Sequence, residues 1–455
     1  MRQTLRAVVW GWGGWVSLVG CQVNTPAPAA APAPEPSTSP ATPASSVVAA
    51  APAAQASPPA SATASSIPPV PAAPASAVPR HFEEDVAFLT ERGAGVKVLQ
   101  APSGGRIAVS GKYQARIMTS AVEAQGNSLG FVNRSFIEAG KTGTAFDNYG
   151  GEDRFWLGPE GGQYALYFPA GKPFAFENWQ TPNAFQGGEW QEKASSPSSI
   201  TFVRSFTVTN YAQTEFKADV ERKLSVLTAE QAKTALGLAV PRGIKWVGFS
   251  SENTLINQGS KAWSEDKGLP SVWILGMFNP APGTQIILPF EKQGTGDVIN
   301  DRYFGKVPAE RLQVNRDKGF ALFKADGQAR GKVGLSPTRA KAVLGSYSAE
   351  GQLLTIVRFT KPAGAKRYVN NLWEMSKEPY GGDVSNAYND GPVEPGKPSL
   401  GGFYELESSS PAAALAPGKK LTHTHETYHF TGPQGALEAI AVKVLGVSLA
   451  EMAKP

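Results

Sequence analysis

Between residues 96 and 430 the chain repeats one pattern: short runs in which apolar and polar residues alternate, each closed by Gly, Pro, Asn or Asp. SITFVRSFTVT (199–209), IKWVGFSSENTLIN (244–257) and LTHTHETYHF (421–430) are examples. Side chains alternate across a strand, so a period of two predicts strands with one buried face. About fifteen such runs, separated by turn-forming residues, require a large all-β architecture, a sandwich or closed sheet. The same pattern predicts strands at YALYFP (164–169) and YVNNLWE (368–374). Helical spacing is confined to a few segments, which excludes a βαβ fold. HFEEDVAFLTERG (81–93) places Phe82, Val86 and Leu89 on one face and ends at Gly93. LTAEQAKTALG (227–237) starts at a Thr228 cap, and GALEAIAVKVLG (435–446) stops at Gly446. No repeat of propeller length is present. We expect one domain over 80–455.

The first eighty residues differ. Arg2 and Arg6 precede a short apolar run with Trp10, Trp12 and Trp15, followed by Leu18-Val19-Gly20-Cys21. A basic start, a short apolar stretch and small residues before a cut describe a secretory signal over 1–20. The run is too short to span a bilayer comfortably. Its ending resembles the lipobox of bacterial lipoproteins. That resemblance implies cleavage before Cys21, lipid on this residue, and a membrane partner through the anchor. Gln22 after the cysteine implies, by the same resemblance, the outer membrane facing the periplasm. Residues 22–79 are nearly all Ala, Pro, Ser, Thr and Val, too poor in large apolar groups to offset ordering entropy. We expect a disordered stalk over 21–79, stiffened toward polyproline II.

Charge and cysteine content narrow the function further. The net charge of +5 is spread without a dense Lys/Arg run, so no nucleic-acid partner is expected. Cys21 is the only cysteine, which excludes an intramolecular disulfide and a Cys-cluster metal site. No phosphate loop, dinucleotide fingerprint, nucleophile elbow or His-Glu-x-x-His motif occurs, and no cofactor is expected.

Candidate chemistry concentrates in residues 381–430. Three of the four histidines, His423, His425 and His429, alternate with Thr424, Glu426 and Tyr428, so they share one strand face. His429 would lie about 13 Å from His425 along that strand, too far to share an ion with both others, and no metal is expected. Glu405 and Glu407 share a face of the preceding run, about 6 to 7 Å apart. A carboxylate and an imidazole across a sugar can divide the work of ring opening, one taking a proton and one giving it. Paired carboxylates also suit glycoside hydrolysis. Glu405 with His423 or His425 are thus the candidate catalytic groups. Asp383, Asn386, Tyr388, Asn389 and Asp390 crowd a glycine-bounded stretch expected to be a loop at a sugar rim. ENWQTPNAFQGGEWQ (177–191) adds Asn178, Trp179, Asn183 and Trp190. In YGGEDRFWLGPEGG (149–162), Arg154 offers a fork for hydroxyls or a carboxylate and Trp156 a face for sugar C–H groups. Glu407 and His429 complete the ligand-binding set. A structural use is open for each: Glu405 could neutralise Arg154, and the histidines could hydrogen-bond inside the sandwich.

Several segments together carry a family resemblance: IAVSGKYQARIMTSAV, FDNYGGEDRFWLGPEGGQYALYF and GGFYELESSSPAAALAPGKKLTHTHETYHF. They resemble uncharacterised bacterial families related to the galactose mutarotase-like (aldose 1-epimerase) superfamily, over roughly 81–446. The resemblance implies an antiparallel β-supersandwich with a few peripheral helices and a sugar-sized cleft on its concave face. It implies a carbohydrate or glycan as partner and an epimerase-like or other carbohydrate-directed role. The alternative is an envelope lipoprotein that binds glycan or protein without catalysis. True epimerases carry an early histidine motif. The matching region here, 143–162, holds Asp147, Glu152, Asp153, Arg154 and Glu160 but no histidine.

Overall fold

Strands with one apolar face must pair edge to edge to satisfy their backbones and stack face to face to bury that side. The computed structural model, which describes residues 80–143, 145–392 and 399–453, does both. Its strands form antiparallel sheets of three, ten and five. In order across the ten-stranded sheet lie Leu312–Asn315, Phe320–Lys324, Gln285–Pro289, Val343–Ser348, Leu353–Phe359, Lys420–Thr431, Lys245–Asn257, Glu215–Val226, Ser199–Thr209 and Gln191–Ser196. The five-stranded sheet runs Gly331–Leu335, Ser385–Asn389, Tyr404–Ser409, Ser271–Phe278 and Arg154–Gly158. The fold is all-β with few helices, as the alternation predicts.

The two larger sheets stack. Leu406, Val333, Leu335 and Ala387 of one meet Ile286, Leu288, Leu344 and Val357 of the other. Phe155, Val272 and Ile274 meet Ile200, Phe202, Leu224 and Phe249. Each such side chain fully buried stabilises the stack by about 1.5–3 kcal/mol. The opposite face of the ten-stranded sheet is covered by helices Ala229–Leu236 and Gln434–Leu445, through Leu236, Leu437, Ile440 and Leu445 on Trp246, Tyr428 and Phe430. The first of these helices begins with the reciprocal Thr228–Gln231 cap and both end on left-handed glycines, Gly237 and Gly446. Helix Phe82–Glu91 stops before Gly93, as its sequence suggests.

Three sequence expectations are corrected. Residues 164–169 and 368–374 are bends and irregular backbone rather than strands. Their aromatic residues pack into a cluster of rings while their backbone groups are satisfied one at a time, for example Leu166 N–H on Pro159 O and Gln180 N–H on Tyr167 O. Conversely, Ser385–Asn389 is a fully buried strand, not a loop. Its polar side chains close neighbouring backbone instead of meeting water, with Asn389 Nδ2–H donating to Ala329 O and Asn389 Oδ1 accepting from Gly327 N–H. The signal, stalk and Cys21 expectations lie outside the described residues. Among the described residues no helix is long and apolar enough to cross a membrane.

Candidate functional site

The strand Tyr404–Ser409 sorts the candidate residues by its alternation. Tyr404, Leu406 and Ser408 face the ten-stranded sheet, where Tyr404 Oη lies 2.9 Å from Ser346 Oγ. Glu405 and Glu407 face the other way, onto the outer surface of the five-stranded sheet. Cross-strand pairing aligns Lys332, Tyr388 and Glu405 in one row, and Asn386, Glu407, Leu275 and Arg154 in another. Loops carrying Phe146, Glu160, Phe176, Trp179, Phe304 and Trp373 close over these rows. The result is a pocket that is also lined by Arg154, Trp156, Trp273, Arg330, Lys332, Tyr388 and Glu405.

Inside, charge is paired. Arg154 donates from Nη2 to Glu405 Oε1 at 2.8 Å, with its guanidinium 4.1 Å from the centre of the Trp156 ring. Lys332 Nζ and Trp273 Nε1 donate to Glu407 Oε2 at 2.9 and 2.8 Å. Glu160 Oε1 accepts from Trp179 Nε1 at 3.1 Å. Burial pushes the Glu405 carboxyl up to about 8, against the pull of Arg154 and with help from Glu407. Burial also raises Glu160. Lys332 is desolvated too, yet Glu407, Glu160 and Glu405 hold it above its ordinary value. Among the described residues, Arg154 Nε and Nη1, Trp156 Nε1 and Glu407 Oε1 have no hydrogen-bond partner, and buried polar groups left open are costly.

The structure brings Arg154, Trp156, Tyr388 and Glu405 together in this pocket, with Glu407 beneath them. It does not bring in the histidines. His423 and His425 point between the two large sheets, on the far side of the Tyr404–Ser409 strand from Glu405, and share Ser408 Oγ at 2.8 Å each. Burial pulls both imidazoles down to about 3. His429 sits in the same layer, with Nε2 2.9 Å from Glu152 Oε2 and Nδ1 2.9 Å from Thr355 Oγ1. The expected convergence of Glu405 with His423 or His425 is therefore corrected: one strand alternates its side chains, so Ser408, not Glu405, meets the imidazoles. His429 is corrected as a ligand group for the same reason. Among the described residues no set of three His, Cys, Asp or Glu is placed to hold a metal ion.

Asp383, Asn386 and Asn389 serve as internal fasteners. Asp383 Oδ2 accepts from Tyr303 Oη–H at 2.6 Å and from Asn300 Nδ2–H at 2.8 Å. Asn386 Nδ2–H donates to Tyr303 Oη at 3.0 Å. Tyr388 Oη–H donates to Asp390 Oδ1 at 2.8 Å, while Asp390 Oδ2 accepts the amides of Gly401 and Gly402. Trp190 is core, packed edge-on against Phe155. Trp179 does line the pocket, whereas Asn178 bonds a nearby carbonyl, Pro173 O. Sequence reasoning did not single out Lys332, Arg330, Trp273 or Trp373. None of the four carried a signal: in the run GKVGL, Lys332 takes the face opposite Val333 and Leu335, where a lysine is ordinary.

The family of unknown function DUF6786 matches residues 80–455. No curated protein is similar in sequence. Solved structures with related strand arrangements include a provisional aldose 1-epimerase from Escherichia coli K12, 14% identical, covering 73% of this chain and 98% of that one, TM-score 0.44. A galactose mutarotase-like protein from Lactobacillus casei is 12% identical, with 74% and 100% covered and a TM-score of 0.42. A GalM/aldose epimerase homologue from C. elegans is 11% identical, with 74% and 99% covered and a TM-score of 0.39. Similarity at this level says nothing of chemistry.

Proposed function

The chain belongs to DUF6786, and we propose that it is a carbohydrate-binding protein whose ligand enters the pocket over the outer face of the five-stranded sheet. One observation carries this reading. Four tryptophans, Trp156, Trp179, Trp273 and Trp373, wall a hollow that two carboxylates, Glu160 and Glu405, and three cations, Arg154, Arg330 and Lys332, also line. Flat apolar rings suit the C–H faces of a pyranose, and charged groups suit its hydroxyls.

Binding without turnover is placed first. Glu405 is ion-paired with Arg154, and both His423 and His425 lie across the sheet. A catalytic version would use Glu405 as acid and Glu160 as its counterpart, since burial raises both and Glu160 has no basic side chain within ion-pair distance among the described residues. Calorimetric titration of the intact protein with a monosaccharide panel tests the reading. Saturable binding that weakens at least tenfold in Glu405→Gln is expected, and no heat with any sugar would contradict it. Following the rotation of fresh anomers in the same samples separates binding from turnover.

In this reading the protein works at the bacterial envelope, held to a membrane by lipid on Cys21. The basic start, short apolar run and Leu18-Val19-Gly20-Cys21 support it. Cys21→Ser is expected to move the protein from the membrane to the soluble fraction. Unchanged sedimentation with membranes would remove the anchor.

A further inference from the structure

We propose that the saccharide taken by this pocket is acidic, and that its anionic group is received by Arg330. This rests on the sugar-pocket reading above and names the ligand class. Three cations line the pocket, and two are committed: Arg154 to Glu405 at 2.8 Å and Lys332 to Glu407 at 2.9 Å. Arg330 has no carboxylate within ion-pair distance among the described residues, and its buried Nε has no hydrogen-bond partner. Its guanidinium instead lies 3.8 Å from the centre of the Phe304 ring and 5.9 Å from that of Phe176. Stacking of this kind fixes the plane of the fork while leaving its N–H edge to bond, the arrangement suited to a carboxylate or a phosphate ester.

The placement fits a ligand that enters past an aromatic mouth. Phe176 is among the exposed large apolar side chains, so the Arg330–Phe176 contact marks the rim. Glu160, the carboxylate that Arg330 influences, is held by the Trp179 indole. Tyr388, also within its field, is tied to Asp390.

Titrating the intact protein with glucose, galactose, glucuronate, galacturonate and glucose 6-phosphate tests this. At least tenfold tighter binding of a uronate or of the 6-phosphate than of its neutral parent is expected, and which one gains tells a carboxylate from a phosphate ester. Arg330→Gln should erase that preference, and Arg330→Lys should restore part of it. The preference should also shrink with added salt. Equal affinity for neutral and acidic sugars, or a preference that survives Arg330→Gln, overturns the acidic-ligand assignment and leaves the sugar pocket standing. Absence of binding by every sugar, neutral or acidic, overturns both.

Discussion

Glu405 illustrates how one side chain can be held between two roles. Its carboxylate sits in a buried pair with Arg154, and removing one partner of such a pair leaves an uncompensated charge. Glu405→Ala is therefore expected to cost about 3–5 kcal/mol in urea unfolding without ligand. In a double-mutant cycle, Glu405→Ala with Arg154→Ala should cost less than the sum of the two single changes, giving a coupling energy of about 2 kcal/mol or more. A loss below about 1 kcal/mol for Glu405→Ala would mean that water reaches the pair. The pairing of Glu405 with Arg154 was readable in the sequence as an option, because opposite charges on period-two strands can meet across a sheet. Glu160 and Arg330 were not, because they lie outside the strands, where no periodicity says which way a side chain points.

Among the elements, the Tyr404–Ser409 strand separates stability from binding by its two faces. Ser408 gives one hydroxyl to two imidazoles, so Ser408→Ala leaves buried nitrogens unmatched and should cost about 1–3 kcal/mol. Ligand affinity in that variant should be unchanged. Glu407→Gln, one residue away, should weaken binding through the Lys332 and Trp273 contacts. Unfolding curves and titrations on the two variants check this, and equal effects on both readouts would contradict the division of faces. The alternation itself was plain in the sequence, and on an extended run it makes Phe155 and Trp156 face opposite ways without saying which is core. What alternation could not supply was which strand neighbours which. Asn386 and Asn389 looked like turn residues because asparagine so often is one, yet pairing with Gly331–Leu335 turned them into buried ties. Likewise the histidine strand borders Lys245–Asn257 and Leu353–Phe359 rather than the glutamate strand that precedes it in the chain.

For the molecule as a whole, the buried titratable layers on either side of the five-stranded sheet respond to pH with opposite signs. His423 and His425 are lowered by burial from 6.5 to about 3. Unfolding lets them take up protons, so their contribution is present above 6.5 and is lost as pH falls toward 3, with a slope of up to about 1.4 kcal/mol per pH unit for each. Glu405 is raised from 4.5 to about 8, so its contribution is full below 4.5 and is lost as pH rises toward 8. Urea unfolding across pH should therefore show a shallower acid limb in a His423→Gln, His425→Gln variant and a shallower alkaline limb in Glu405→Gln. Parallel profiles for wild type and both variants would contradict the burial of these groups.

The central claim is that the aromatic hollow, and no other surface, receives the sugar. Four of the ten tryptophans stand in its wall, so acrylamide quenching of intrinsic fluorescence reads it directly. A bound sugar is expected to shield part of the emission, and Trp156→Leu with Trp373→Leu should abolish that protection at the same ligand concentration. Quenching that is unaltered by a bound sugar in the wild type, or protection that persists in the double variant, would place the ligand elsewhere.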